Sequence, residues 1–128
     1  MPSSDSFAVE EKKAVEAIDW INSYAKKNDK KFEAKLEGYS ISTIKFGTFQ
    51  IISWKGEWSF ARNVILRVSS KLGMKVIESG YHQQNHLLLS LIGVSKEVGK
   101  VYNKGNFLGY VIMKKKSGKW QSKTEKLG

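Results

Sequence analysis

The spacing of apolar residues changes between helical and strand-like periods along the chain, and this alternation limits the folds open to it. Residues 6–27 carry apolar side chains three and four positions apart, which predicts an amphipathic helix. The apolar stripe consists of Phe7, Ala14, Val15, Ile18, Ile21 and Ala25. Asp5 or Ser6 can cap its amino end, and Lys26 and Lys27 lie where the helix dipole is negative. We therefore expect the fold to begin with a helix.

Residues 32–54 carry β-branched and aromatic side chains separated by Ser, Thr and Gly, as strands do. We predict two or three short antiparallel strands there, with turns at Gly38 and Gly47. A second helical stripe then covers residues 58–72, and Gly73 can end that helix. Its apolar side comprises Ala61, Val64, Ile65, Val68 and Leu72. Its opposite side offers to solvent Arg62, Asn63, Arg67 and Lys71.

The last third of the chain predicts further strands. Residues 74–79, 107–113 and 119–123 have strand character, with a hairpin signal at Ser117-Gly118. The short apolar run 87–92 has no decisive period, and we favour a strand over a helical segment. The predicted order is α-β-β-α-β-β-β-β. This order predicts an α+β fold, an antiparallel β-sheet with helices packed on one face.

The length of 128 residues predicts one compact domain, with loose termini at residues 1–5 and 125–128. The amino-terminal residues lack the basic and continuous apolar segments of a secretory signal, and no apolar run approaches the ~20 residues of a membrane span. We therefore expect a cytoplasmic protein without a membrane partner.

The net charge of +10 is concentrated in two parts of the sequence. Residues 26–75 hold 11 basic and 4 acidic residues, and residues 96–128 hold 9 and 2, so each block carries +7. If the two blocks share one face of the fold, their field attracts polyanions. Lysine enrichment that serves solubility or thermal stability is the alternative explanation.

Catalytic motifs are scarce. The chain has no cysteine, which excludes disulfides, thiolate nucleophiles and cysteine-based metal sites. His82 and His86 have a spacing that could suit a metal, but no third ligand is evident, and we expect a solvated turn. The sequence contains neither a Gly-x-Ser-x-Gly nor a phosphate-loop motif. We predict a protein without catalytic residues, metal or cofactor; the catalytic alternative is a nuclease or metal-dependent hydrolase.

Aromatic residues interleaved with cations are the more informative signal. Single-stranded nucleic acids bind to such surfaces because bases stack on aromatic rings while cations contact phosphates. The predicted nucleic-acid-binding residues are Lys45, Trp54, Lys55, Trp58, Arg62, Arg67, Tyr110, Lys114, Lys115, Lys116, Lys119 and Trp120. We expect a non-catalytic protein that binds single-stranded DNA or RNA with little base specificity. The alternative is a protein-interaction or homodimerisation module that uses helix 6–27 and residues 87–92 to bind an acidic partner or a second copy.

Overall fold

The computed structural model describes residues 6–80, 96–116 and 119–126, and the side chains of residues 6–79 and 98–111. This part of the chain forms strands and two helices, which confirms the predicted α+β class. The elements are β1 (Ser6–Glu10), a 3-10 turn (Glu11–Lys13), α1 (Ala14–Lys27), β2 (Glu33–Thr43), β3 (Gly47–Lys55), α2 (Trp58–Leu72), β4 (Lys75–Gly80), β5 (Lys96–Asn103), β6 (Asn106–Lys116) and β7 (Lys119–Lys126).

The strands close into a barrel in the order β1-β3-β2-β7-β6-β5-β4. All neighbouring pairs are antiparallel except β2 and β7, which meet in parallel where Ser42 lies opposite Lys123. β6 and β7 form the predicted hairpin, with Lys116 opposite Lys119. Neither helix in the described part of the chain is long and apolar enough to cross a membrane.

Two apolar clusters lie on opposite faces of the strands. The cluster on one face contains Ala8, Ile41, Phe46, Phe49, Ile51, Ile77, Val101 and Val111. Its members all come from the barrel strands or the turn between β2 and β3, so this cluster fills the barrel interior. The cluster on the other face joins strand residues to both helices, and its largest members include Phe7, Ile21, Ile52, Val64 and Ile65. Adjacent residues such as Ile51 and Ile52 lie in different clusters because side chains alternate along a strand. Both helices therefore cover one outer side of the barrel, as predicted.

The prediction that one helix spans residues 6–27 was wrong at its amino end. Residues 6–10 form β1, and α1 begins at Ala14 after the 3-10 turn. β1 pairs on both sides, and Phe7, Ala8 and Val9 are all buried, so it lacks the polar alternation by which a half-buried strand is recognised. Val15, assigned to the apolar stripe, is 68% exposed.

Of the other predicted elements, the second helix is confirmed and one predicted turn is wrong. Helix 58–72 is confirmed, and Gly73 ends it in the left-handed conformation (φ 63°) that glycine adopts without strain. Gly38 does not form a turn, because it lies inside β2 where the pairing with β3 shifts register between Leu36 and Ser40. β5 was not predicted. Residues 87–92, His82 and His86 lie outside the described residues.

Glu10 joins β1 to β4. Its carboxylate accepts a hydrogen bond from the Lys75 backbone amide at 3.0 Å, and it lies 3.6 Å from the ammonium groups of both Lys75 and Lys12. Burial by itself would raise the pKa of the Glu10 carboxyl. The amide hydrogen bond and the two lysine charges outweigh that effect and hold the pKa below its usual value of 4.5.

The depressed pKa of Glu10 predicts a loss of stability in acid. The ionised carboxylate stabilises the fold above pH 4.5, and this contribution is lost as the pH falls through the lower pKa of the folded state. Glu10→Gln should lower the free energy of unfolding by about 1 kcal/mol at pH 7 and weaken its dependence on pH below 4.5. Urea unfolding from pH 3 to pH 7 measures both effects, with the exposed Glu37→Gln as control. An unchanged pH profile in Glu10→Gln would contradict this role.

Candidate nucleic-acid interface

A shallow groove of about 670 Å³ runs along the outer face of α2. We call it the α2 groove; it is lined by Trp58, Ser59, Arg62, Asn63, Leu66, Arg67, Ser70, Lys71 and Gly105. The helical period causes this grouping, because residues three and four positions apart share a face while Val64 and Val68 point into the apolar cluster beneath. Among the described lining residues are three cations and no carboxylate. The groove can therefore attract an anion.

The approach of the chain to α2 fixes Trp58 at one end of the groove. Gly56 precedes the helix at φ 141°, and a β-carbon there would lie 2.7 Å from the Phe32 ring, so the close approach requires glycine. Trp58, the first residue of α2, has 46% of its surface exposed. An indole ring in this position offers a face on which a base can stack.

The turn between β5 and β6 closes the other end of the groove. Lys104 (φ 53°) and Gly105 (φ 83°) form a two-residue turn of the kind that suits hairpins. The buried Ser69 hydroxyl accepts a hydrogen bond from the Lys104 amide at 3.0 Å and donates one to the Met74 carbonyl at 2.6 Å. This pair of bonds ties the turn to the end of α2. Lys104 is exposed and adds a cation there.

A β-bulge brings three aromatic rings together on the outer face of β5 and β6. Val101 lies opposite Gly109 and Tyr102 opposite Phe107, so Leu108 is the additional residue. In a strand without a bulge, residues 107 and 110 would point to opposite faces, because they are three positions apart.

With the bulge in place, the Phe107 ring contacts Tyr102 at 5.8 Å and Tyr110 at 4.9 Å between centroids. Phe107 is 48% exposed and Tyr110 41% exposed. We call these three residues the aromatic row.

The aromatic row lies beside the α2 groove. Arg62 donates from Nε to the Glu78 carboxylate at 2.7 Å, and Glu78 on β4 lies opposite Lys100 on β5, which in turn lies opposite Tyr110. Because neighbouring strands are ~4.8 Å apart, Glu78 and Tyr110 are separated by roughly 10 Å. The two features therefore form one continuous surface of the described residues.

Positive charge dominates this surface. Its described cations are Arg62, Arg67, Lys71, Lys100 and Lys104. Glu78 is the one carboxylate among the described residues that join the groove to the row, and its partner is Arg62. That ion pair uses Nε, and a guanidinium has further N–H donors for a ligand. The Arg67 guanidinium lies 5.3 Å above the Tyr24 ring, which orients it by a cation–π contact.

Several predicted binding residues lie elsewhere. Trp54 is half-buried, with its ring 6.0 Å from both Phe7 and Phe32, and it packs with the cluster between helices and barrel. Trp54 is therefore only partly exposed, and its part in binding stays a prediction. Lys55 ends β3 and is exposed, and Lys45 lies in the turn before β3 with its ammonium 5.7 Å from the Phe46 ring. Neither lysine lines the α2 groove.

The carboxyl-terminal candidates are described only in their backbone. Lys114, Lys115 and Lys116 lie at the end of β6, Lys119 begins β7, and Trp120 lies opposite Lys115. Their side chains lie outside the described residues, so their part in binding stays a prediction.

Some residues of this surface were not among the predicted binding residues, for different reasons. Asn63 and Lys71 share the exposed side of α2, which the helical period alone indicates. Phe107 joins Tyr110 only because of the bulge at Leu108, and Lys100 joins the surface through the pairing of β5 with β4 and β6.

The chain was compared with protein-family models, curated proteins and solved structures. No match was found. The surface chemistry of the described residues is therefore what points to a function.

Proposed function

We propose that this protein binds single-stranded nucleic acid across the α2 groove and the aromatic row. The observation that carries the proposal is the position of exposed aromatic rings next to a groove whose described lining contains cations and no carboxylate. Cations in such a groove contact the phosphates, while the rings at its end and beside it receive bases. Phosphate contacts of this kind are independent of sequence and supply much of the affinity.

Exposed rings favour single strands over duplex. In a duplex, each base is stacked between its neighbours, and its faces are inaccessible to a protein side chain. In a single strand, the bases can separate and stack on Trp58, Phe107 or Tyr110, with ~1–3 kcal/mol gained for each base.

The length of the groove sets the expected site size. From Trp58 to Lys71, α2 advances by 13 residues, or roughly 20 Å at ~1.5 Å per residue. Nucleotides that stay stacked on one another repeat at ~3.4 Å along a strand, so this distance holds at most about six of them. We expect affinity to rise with oligonucleotide length up to about six nucleotides and then to level off.

The proposal is tested by fluorescence-anisotropy titration of the full chain with labelled oligonucleotides of three to ten nucleotides and with a matched duplex. We expect tighter binding to the single strand, and a steep loss of affinity between 50 and 200 mM salt as counterions return to the phosphates. Absence of binding at 50 mM salt would refute the proposal.

Trp58→Ala isolates the stacking contribution. We expect single-strand affinity to fall by about 1–3 kcal/mol while the slope of log affinity against log salt stays unchanged, because no charge is removed. The measurement is the same titration at four salt concentrations, after circular dichroism has established that the variant is folded. If the folded variant binds like the parent protein, Trp58 does not contact a base.

A protein interface is a second candidate function for part of this surface. Phe107, Leu108 and Tyr110 are exposed together, and aromatic residues are common at the centres of protein interfaces. The apolar face of α1, which the sequence suggested for this role, packs instead against the barrel and α2. Sedimentation at several concentrations separates the candidates, because self-association that is lost in Phe107→Ala would favour the interface.

A further inference from the structure

A second cavity adjoins the α2 groove, and its chemistry differs from that of the groove. It has a volume of about 340 Å³, lies between the carboxyl end of α1 and the start of α2, and shares Ser59 and Asn63 with the groove. We call it the α1–α2 pocket. The other residues that line it are Tyr24, Asn28, Lys30, Glu57 and Phe60. Its size is at the lower end of the ~300–1,000 Å³ range of ligand pockets, which suits one base.

The aromatic side of the pocket is held in place by packing. The Tyr24 ring is stacked on Trp20, with centroids 5.0 Å apart, and on Phe60 at 6.2 Å. The Phe60 ring in turn meets Phe32 edge to face at 5.0 Å. The wall is preformed, so its side chains lose little conformational entropy when a flat base packs against it.

The polar groups of the pocket are those of a hydrogen-bonding site. Glu57 stands at the N-cap position of α2, but its carboxylate makes no capping bond, and no described residue pairs with it. Asn28 donates from its side-chain amide to the Tyr24 carbonyl at 2.8 Å, which leaves its side-chain oxygen as an acceptor. Asn63 and Lys30 add donors.

A carboxylate in the pocket distinguishes it from the groove. It repels a phosphate, and it attracts a group that presents N–H donors. A nucleotide whose phosphate lies on the cations of the α2 groove can therefore direct its base across Ser59 and Asn63 into the α1–α2 pocket.

Guanine fits these groups best among the common bases. Its Watson–Crick edge carries two adjacent N–H donors, N1–H and the 2-amino group, which one carboxylate can accept together, and its O6 can accept from Lys30 or Asn63. Cytosine and adenine offer a single amino group beside a ring acceptor. The one N–H of thymine or uracil lies between two carbonyl oxygens, which a carboxylate repels.

We propose that the α1–α2 pocket binds one guanine base through Glu57, so that the protein prefers single strands that contain guanine. This inference rests on the proposed function, since it needs the adjacent groove to hold the backbone. It also replaces the expectation of little base specificity with the recognition of guanine at one nucleotide position.

The test compares labelled hexathymidylate with the same strand carrying one guanine, titrated into the full chain. We expect the guanine strand to bind roughly tenfold tighter, as a bidentate contact allows. Hypoxanthine, which lacks the 2-amino group, should bind with intermediate affinity. Glu57→Gln should abolish the guanine preference, whereas Glu37→Gln, the same charge change on exposed β2, should keep it.

The possible outcomes distinguish a failure of the guanine pocket from a failure of the proposed single-strand binding. If neither strand binds, the proposed function fails. If both strands bind equally to the parent protein, or if Glu57→Gln keeps the preference, the nucleic-acid interface stands and the guanine pocket is refuted. Because Glu57 is exposed and pairs with no described residue, we expect Glu57→Gln to fold normally.

Discussion

Phe49→Ala should lower the free energy of unfolding by about 3–5 kcal/mol, the usual cost of removing a buried phenylalanine ring. Phe49 is fully buried in the barrel interior, where it lies opposite Ile41 on β2 and clusters with Ile51 and Ile77. Since the alanine leaves a cavity that close-packed neighbours cannot fill, both the transfer free energy and the packing energy are lost. Such a loss is a large fraction of the ~5–15 kcal/mol that stabilises a typical domain.

Phe107→Ala is the matched control, because it removes the same atoms from a ring that is 48% exposed on the outer face. We expect it to cost less than about 1 kcal/mol. Urea unfolding followed by circular dichroism measures both variants. Equal losses of stability in the two variants would mean that Phe49 does not lie in a filled barrel interior.

Arg67→Ala combined with Lys71→Ala should weaken single-strand binding by about 3 kcal/mol, more than a hundredfold, since each replacement removes a charge-assisted phosphate contact. The salt slope should fall by about 1.4, at ~0.7 for each phosphate neutralised in a single strand. Arg62 is left in place because its loss would deprive the largely buried Glu78 of its partner.

Lys27→Ala combined with Lys35→Ala provides the control. These exposed lysines lie on α1 and β2, outside the lining of the α2 groove, and their removal changes the net charge by the same amount. A generic cationic surface would lose affinity equally in both double variants. The α2 groove account requires the loss to be confined to Arg67 and Lys71.

The fold was predictable where a segment buries one face. The outer and inner sides of α2 follow from the helical period, and Gly73 ends the helix in the predicted manner. β1 was not predictable by that rule, because a strand paired on both sides and covered by helices buries Phe7, Ala8 and Val9 alike. Barrel closure was not predictable either, since it depends on the pairing of β2 with β7 across 80 residues, from Ser42 to Lys123.

The cations of the candidate site were easier to predict from the sequence than its exposed aromatic rings. Arg62 and Arg67 lie on the exposed side of a helix that the sequence indicates. The exposure of an aromatic residue depends on tertiary packing, so Trp58 is accessible while Trp54, four residues earlier, packs against Phe7. The bulge at Leu108 shifts the alternation of side chains along β6 by one residue, so Phe107 lies on the same face as Tyr110. No periodicity in the sequence indicates such a shift.

Photochemical cross-linking tests the location of nucleic-acid binding most directly. A six-nucleotide single strand carrying 5-bromouracil is irradiated with the full chain, and the adducts are assigned to residues by mass spectrometry. The account predicts adducts at Trp58, Phe107 or Tyr110, and their loss at high salt. Adducts confined to residues outside the α2 groove, the aromatic row and the α1–α2 pocket, such as Lys27 and Lys35, would contradict it.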